Sequence, residues 1–170
     1  MTLGIAHAEG EVVLLDAVRE VRPPFSPSEV VASFAATLKP YRITTIRADR
    51  YAGDWPREQF QKLGIRCEPS ERNCSEIYGE LLPLINSRRV DLLDDKRMIA
   101  QLVQLERRTN PAGKDSISHP QGRHDDLINA AAGSLVLAAG IGDANTFNLS
   151  LYLRAYSLEN HHNWQQRRVY

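Results

Sequence analysis

Two apolar runs rich in β-branched residues, residues 2–7 (TLGIAH) and 11–21 (EVVLLDAVREV), stand on either side of Ala8-Glu9-Gly10. That pattern predicts two strands joined by a tight turn. A hairpin this early means that later elements must extend the same sheet or cover it. Pro23 and Pro24 end the second run. Ser26-Pro27-Ser28-Glu29 then offers an N-cap, a proline at the first helical position and a capping-box glutamate. Val30, Val31, Phe34 and Leu38 supply the apolar face of that helix, and Pro40 stops it.

The next strand formers, Ile43 to Ala48, end directly at Asp49, ahead of the turn-like Tyr51-Ala52-Gly53. A helix over 55–63, a short strand over 65–68 and a helix over 75–86 that tolerates Pro83 continue the alternation. An edge strand follows at 90–93. A helix over 95–105 carries Met98, Ile99, Leu102 and Val103 on one face. Residues 107–123 turn polar and hold two strong turn signals, Asn110-Pro111-Ala112-Gly113 and His119-Pro120-Gln121-Gly122, so they read as loop. The last clear helix runs from Asp125 to about Ala139. Beyond Gly140 the pattern weakens, and residues 160–168 read as a solvated tail. An antiparallel hairpin followed by alternating strands and helices predicts an α/β fold, a mixed sheet flanked by helices. The expected division is one domain over 1–140 and a C-terminal tail of unknown role over 141–170.

Composition narrows the function classes. With 42% hydrophobic and 25% charged residues in 170, a single soluble core is expected. The Ala-rich stretch over 130–141 is too short to cross a bilayer, and no signal-peptide pattern opens the sequence, so the expected location is a cytoplasm. Cys67 and Cys74 are too few for a disulfide framework and lack the partners of a zinc site. Basic and acidic residues balance at 21 each, so any contact with nucleic acid must come from a local patch. Arg107, Arg108 and Lys114, with Arg123, form the densest basic stretch, suited to phosphate contacts or to a merely solvated face.

In open α/β sheets chemistry gathers beyond the carboxyl ends of the strands, which is where Asp49 falls. Asp125 and Asp126 open a helix. Brought together, these carboxylates would suit Mg²⁺ or Mn²⁺, hard cations that take oxygen ligands and keep several waters. Local roles compete with that one. Asp125 reads equally as an N-cap, Asp126 as a first-turn acid favoured by the helix dipole, Asp49 as the start of an Asx-turn and Asp54 as the cap of the next helix. His124 is a metal ligand, a general base or a structural hydrogen-bonding residue.

The combination is more specific than its parts. Gly113-Lys114-Asp115-Ser116-Ile117-Ser118-His119-Pro120, a short spacer and His124-Asp125-Asp126-Leu127-Ile128-Asn129-Ala130 closely resemble the closing motif of the nuclease domain in phage terminase large subunits. Residues 49–58 (DRYAGDWPRE) resemble that family's second-acid segment, and both occur in the family's order. The resemblance extends over about residues 1–140, including the Pro-Pro-Phe-Ser-Pro stretch and Leu105-Glu106-Arg107-Arg108. It implies an RNase H-like fold, two Mg²⁺ or Mn²⁺ ions held by three acids, and cleavage of concatemeric viral DNA during packaging. Double-stranded DNA, the terminase small subunit and the portal are the implied partners, and the implied setting is a host cytoplasm under phage or prophage control.

Carried over residue by residue, Asp49 matches the second acid and the His124-Asp125-Asp126 segment the third. Asp126 is the favoured ligand, with Asp125 as an outer partner or cap. The family's first acid belongs on a central strand just before the opening hairpin. No position here matches it; His7, Glu9, Glu11 and Asp16 lie in the hairpin instead. The resemblance thus implies an N-terminally truncated domain with two of three acids, and a sheet whose missing central strand leaves edges exposed. The sequence also contains no Gly-x-x-x-x-Gly-Lys-Ser/Thr loop for a motor. Two functions remain open: a metal-dependent endonuclease, or a catalytically inactive prophage-derived fragment that binds DNA or protein.

Overall fold

The hairpin forms as predicted. In the computed structural model, β1 (Thr2–Glu9) pairs antiparallel with β2 (Val12–Glu20), and Gly10 takes the turn at φ +61. The structure describes residues 1–49, 54–109, 115–140 and 150–154. The register slips between Ile5 and Ala6, whose partners are Ala17 and Leu15, so Asp16 is an extra residue on β2. Such a bulge resets the in-and-out alternation. Val13, Leu15 and then Val18 face one core while Ala17 faces the other.

Five more elements build out from this hairpin. They are α1 (Pro27–Leu38), β3 (Thr45–Ala48), α2 (Asp54–Lys62), β4 (Arg66–Pro69) and α3 (Cys74–Asn86). Next come β5 (Val90–Asp91), α4 (Lys96–Val103), the hairpin of β6 (Glu106–Thr109) and β7 (Asp115–Ser118), α5 (Asp126–Gly140) and β8 (Ser150–Arg154). The main sheet has the order β4-β3-β8-β1-β2-β5, so β5 is the edge strand that its length and position predicted.

Two cores, one on each face of the sheet, make the three layers. Leu3 and Ile5 of β1 point toward Val30, Val31, Phe34 and Leu38 of α1 and Phe60 of α2. Ala6 joins Ile77, Tyr78 and Leu81 of α3, Met98 of α4 and the apolar residues of α5 on the other face. α5 is buried along nearly its whole length, which explains its run of alanines: only small side chains let a helix lie this close to a sheet. Gly4 marks the closest approach. A Cβ built there would stand 2.4 Å from the Ala130 carbonyl oxygen.

Four local expectations are corrected. Ser26 makes no capping bond to α1; its Oγ lies 3.0 Å from Ser28 Oγ instead. The capping box forms at α3, where Asn73 accepts from the Glu76 amide at 3.0 Å and the Glu76 carboxylate accepts from the Asn73 amide at 2.8 Å. On α4 the buried pair is Met98 and Gln101, while Ile99 is 37% and Val103 77% exposed, because the helix is docked on α5 by a polar contact described below. The stretch read as loop contains β6 and β7, whose short polar strands carry no alternating apolar signal and are held as a separate two-stranded sheet.

The sheet itself departs furthest from expectation. The slot between β1 and β3 is not an exposed edge: β8, from the segment treated as tail, runs antiparallel to β1 and parallel to β3. Backbone N–H and C=O groups of β1 and β3 would otherwise lack partners in the middle of the fold, and a strand in that slot supplies them.

Candidate functional site

Asp49 follows the last residue of β3, half-buried at the strand's carboxyl end. Asp125 and Asp126, only 3% and 7% exposed, lie at the amino end of α5. Helix α3 reaches toward both. Cys74 Sγ contacts Asp49 Oδ2 at 3.9 Å, and one helical turn later the Tyr78 hydroxyl donates to Asp125 Oδ2 at 2.8 Å. Residues four apart lie on one helix face, so the same face of α3 serves both acid-bearing elements. The third predicted acid is placed by α5 itself. The Met1 ammonium, at the head of β1, donates to the Val21 carbonyl at 2.8 Å and interacts with the Asp126 charge. Burial pushes that ammonium down to about 5, against the pull of Asp126 and Glu20.

Gln101 answers the question of which group caps α5. Its Oε1 accepts from the amides of Leu127 and Ile128, each at 3.0 Å, and these are the first-turn donors that a helix leaves without partners of its own. With those amides taken by a side chain from α4, the Asp125 carboxylate is engaged by Tyr78. Two histidines stand just outside. His119 Nε2 is 4.0 Å from Asp125 Oδ1, and the exposed His124 has Nδ1 3.9 Å from Asp126 Oδ2.

The arginines expected to meet phosphates sit on the β6–β7 hairpin, exposed and in ion pairs with their own sheet. Arg107 pairs with Asp115, and Arg108 with Glu106. The hydrogen bond from Arg107 holds the half-buried Asp115 carboxyl below its ordinary range. This hairpin is fastened to α3 through the Ile117 amide, which donates to Ser75 Oγ at 2.8 Å, next to Cys74 in the chain. Lys114 lies outside the described residues, as do the Asx-turn segment 50–53 and His161 and His162.

The structure therefore brings Asp49, Asp125 and Asp126 to elements served by one helix, with His124 beside the acid pair. Tyr78, Gln101, Cys74 and His119 were not among the candidate site residues read from the sequence. Gln101 left a trace there, a polar residue three positions after Met98 and so on the face that Met98 buries. Tyr78 left none, because its ring reads as core. Carboxylate oxygens suit a hard divalent cation. Among the described residues, however, no group of three or more His, Cys, Asp or Glu side chains is arranged to hold a metal ion. Neither cysteine is disulfide-bonded, and burial pushes the Cys67 thiol up to about 11. No helix among the described residues is long and apolar enough to cross a membrane.

Comparison with family models and with curated proteins finds no match. Comparison with solved structures does. The fold is similar to the large terminase nuclease of thermophilic phage G20c, with a TM-score of 0.62 and 19% identity over 82% of this chain and 83% of that one. The same nuclease with bound magnesium aligns at a TM-score of 0.59 and 21% identity over 82% and 79% of the two chains. The large terminase nuclease domain of Thermus phage P74-26 gives 0.56 and 18% over 85% and 82%. This chain has the RNase H-like fold of large terminase nuclease domains, as the two sequence motifs implied.

Proposed function

We propose that this chain is the nuclease unit of a phage large terminase, a divalent-metal-dependent endonuclease that cuts concatemeric double-stranded DNA during genome packaging. The observation that carries this reading is that Cys74 and Tyr78, one turn apart on one face of α3, contact Asp49 and Asp125, the neighbour of Asp126, in a fold shared with large terminase nucleases. One of those neighbours was solved with bound magnesium and another with bound cobalt. Here Mg²⁺ or Mn²⁺ is the proposed cofactor, two ions as in the family, held by Asp49 and Asp126 with Asp125 alongside.

A divalent ion supplies an activated water and stabilises the leaving oxygen of the phosphodiester. The chain's own residues do the positioning. Gln101 holds the amino end of α5, and with it Asp126, at a fixed height over the sheet. Tyr78 engages one oxygen of Asp125, which supports Asp126 as the direct ligand with Asp125 as its outer partner. His124 stands next to Asp126 as the proton-transfer group. Arg107 and Arg108 on β6, with Lys114 just before Asp115 in the sequence, are the proposed phosphate contacts, which requires the two arginines to exchange their carboxylate partners for DNA. The small subunit and portal would be the protein partners, and a host cytoplasm the setting.

The test is nicking of supercoiled plasmid by the purified chain with Mg²⁺ or Mn²⁺. Cleavage that chelation abolishes, and that Asp49→Ala with Asp126→Ala abolishes again, supports the reading. Cleavage that survives the double substitution overturns the residue assignment. A second reading, a catalytically inactive module that binds DNA or protein, draws on the lack of a three-ligand group among the described residues. Metal-independent DNA binding without cleavage would favour it.

A further inference from the structure

Helix α5 buries two neutral polar side chains, Asn129 and Ser134, and they fare differently. Ser134 Oγ donates to the Ala131 carbonyl at 2.8 Å. Asn129 is fully enclosed, yet among the described residues neither its Oδ1 nor its Nδ2 has a partner. Burying an unpaired amide is costly, so one that persists points to a partner from outside the protein's own groups. Its position says which. Asn129 stands three residues after Asp126 and four after Asp125, on the same helix face, and its backbone amide donates to the Asp125 carbonyl at 2.8 Å. Helical side chains lean toward the amino end, so this one leans back toward the acid pair. β1 brings a second orphan to the same level. Gly4 abuts the Ala130 carbonyl, and Thr2 faces the same layer because Leu3 and Ile5 face the other core. Thr2 lies about 7 Å before Gly4 on the strand, and Asp126 about 6 Å before Ala130 on the helix. The head of β1 does lie near Asp126, whose charge acts on the Met1 ammonium. Thr2 Oγ1 is likewise buried without a partner among the described residues.

We infer that Asn129, with Thr2 beside it, is the polar floor of the acid site, a positioning residue whose amide hydrogen-bonds water carried by a divalent cation at Asp126. This rests on the metal-dependent reading above. Mg²⁺ and Mn²⁺ keep several waters when carboxylates bind them. An amide can accept from one such water through Oδ1 and donate through Nδ2, and the Thr2 hydroxyl can do either. The cost of burying Asn129 is thus offset when the cation binds. Outer contacts of this kind orient the ligands and tune metal affinity.

Mn²⁺ titration calorimetry on the full chain, with urea unfolding in the presence and absence of Mn²⁺, tests this without reference to cleavage. Asn129→Leu keeps the volume and removes both polar atoms. The metal-free variant should be at least as stable as the wild type, because an apolar isostere of an unpaired group loses no bond. Its Mn²⁺ affinity should fall by roughly tenfold or more. The stabilisation that Mn²⁺ confers on the fold should shrink with it. Asn129→Asp, which keeps an acceptor, should bind Mn²⁺ more tightly than Asn129→Leu. Adding Asn129→Leu to Asp126→Asn should cost little further affinity. If Asn129→Leu does not fold, Asn129→Ala carries the affinity comparison. Lost metal-free stability with unchanged Mn²⁺ affinity is the pattern of a purely structural amide. That result, with wild-type binding that depends on Asp49 and Asp126, overturns the inference and leaves the metal-dependent reading standing. Absence of Mn²⁺ binding in the wild type overturns that reading and the inference with it.

Discussion

The Tyr78 hydroxyl donates a 2.8 Å hydrogen bond to Asp125 Oδ2, and both residues are only 3% exposed. A carboxylate that deep needs partners, since an unsatisfied buried acceptor is costly. Tyr78→Phe removes the donor while keeping the ring in its core cluster. It should lower unfolding free energy by about 1–3 kcal/mol in urea titrations. A double-mutant cycle with Asp125→Ala isolates the bond: Tyr78→Phe should cost much less once Asp125 is gone, and equal costs in both backgrounds would show the contact to be worth nothing.

Gln101 lends itself to a cleaner substitution. Gln101→Met keeps most of the volume and removes the acceptor for the Leu127 and Ile128 amides. The expected loss is again about 1–3 kcal/mol, because two buried donors lose their partner. Hydrogen exchange locates the effect. Those two amides should exchange faster relative to the centre of α5, and a uniform change along the helix would speak against a capping role.

At Gly4 the prediction concerns distance between layers. An alanine Cβ would sit 2.4 Å from the backbone oxygen of Ala130, so α5 or β1 must shift to admit it. Gly4→Ala should destabilise by about 1–3 kcal/mol, as overpacking of a close contact does. It should also weaken Mn²⁺ binding, since Asp126 rides on the helix that moves. Wild-type stability in calorimetry would mean that the two layers are less tightly apposed than described.

The fourth prediction is a pH dependence. Burial lowers the His7 pKa, but hydrogen bonds from its ring to Asp16 at 2.8 Å and Glu9 at 3.1 Å, with their charges, outweigh this and raise it above the ordinary 6.5. A histidine whose folded pKa exceeds its unfolded one contributes stability that is complete below about pH 6.5 and is lost as pH rises through the folded value. The stability gap between wild type and His7→Asn should therefore be widest near pH 6 and shrink by pH 8.5 in matched urea titrations. A gap that grows with pH would contradict the ion pairs.

The same bulge that places Asp16 against His7 illustrates what could and could not be read in advance. Hairpin and turn were plain from two β-branched runs around Ala8-Glu9-Gly10, and α1, β3, α3 and α5 from apolar spacing, because those signals are local. The extra residue at Asp16 was not, since a register slip depends on which partner residue stands opposite. The β6–β7 hairpin escaped for a related reason: four-residue polar strands bury no face and leave no periodicity.

For the candidate site, the sequence by itself determined the chemistry on offer: three aspartates and a histidine in two motifs, and a sheet end at which Asp49 had to emerge. It could not decide between metal ligand and cap, because a helix-opening aspartate looks the same in both roles. Tertiary structure decided several of these points. It assigned the α5 amides to Gln101 from another helix, tied Asp125 to Tyr78 across 47 positions of sequence, and drew the sheet's central strand from Ser150–Arg154. Each is a contact between distant segments, and the energy that selects it is the need of a buried polar group or an open strand edge for a partner, which no local pattern records.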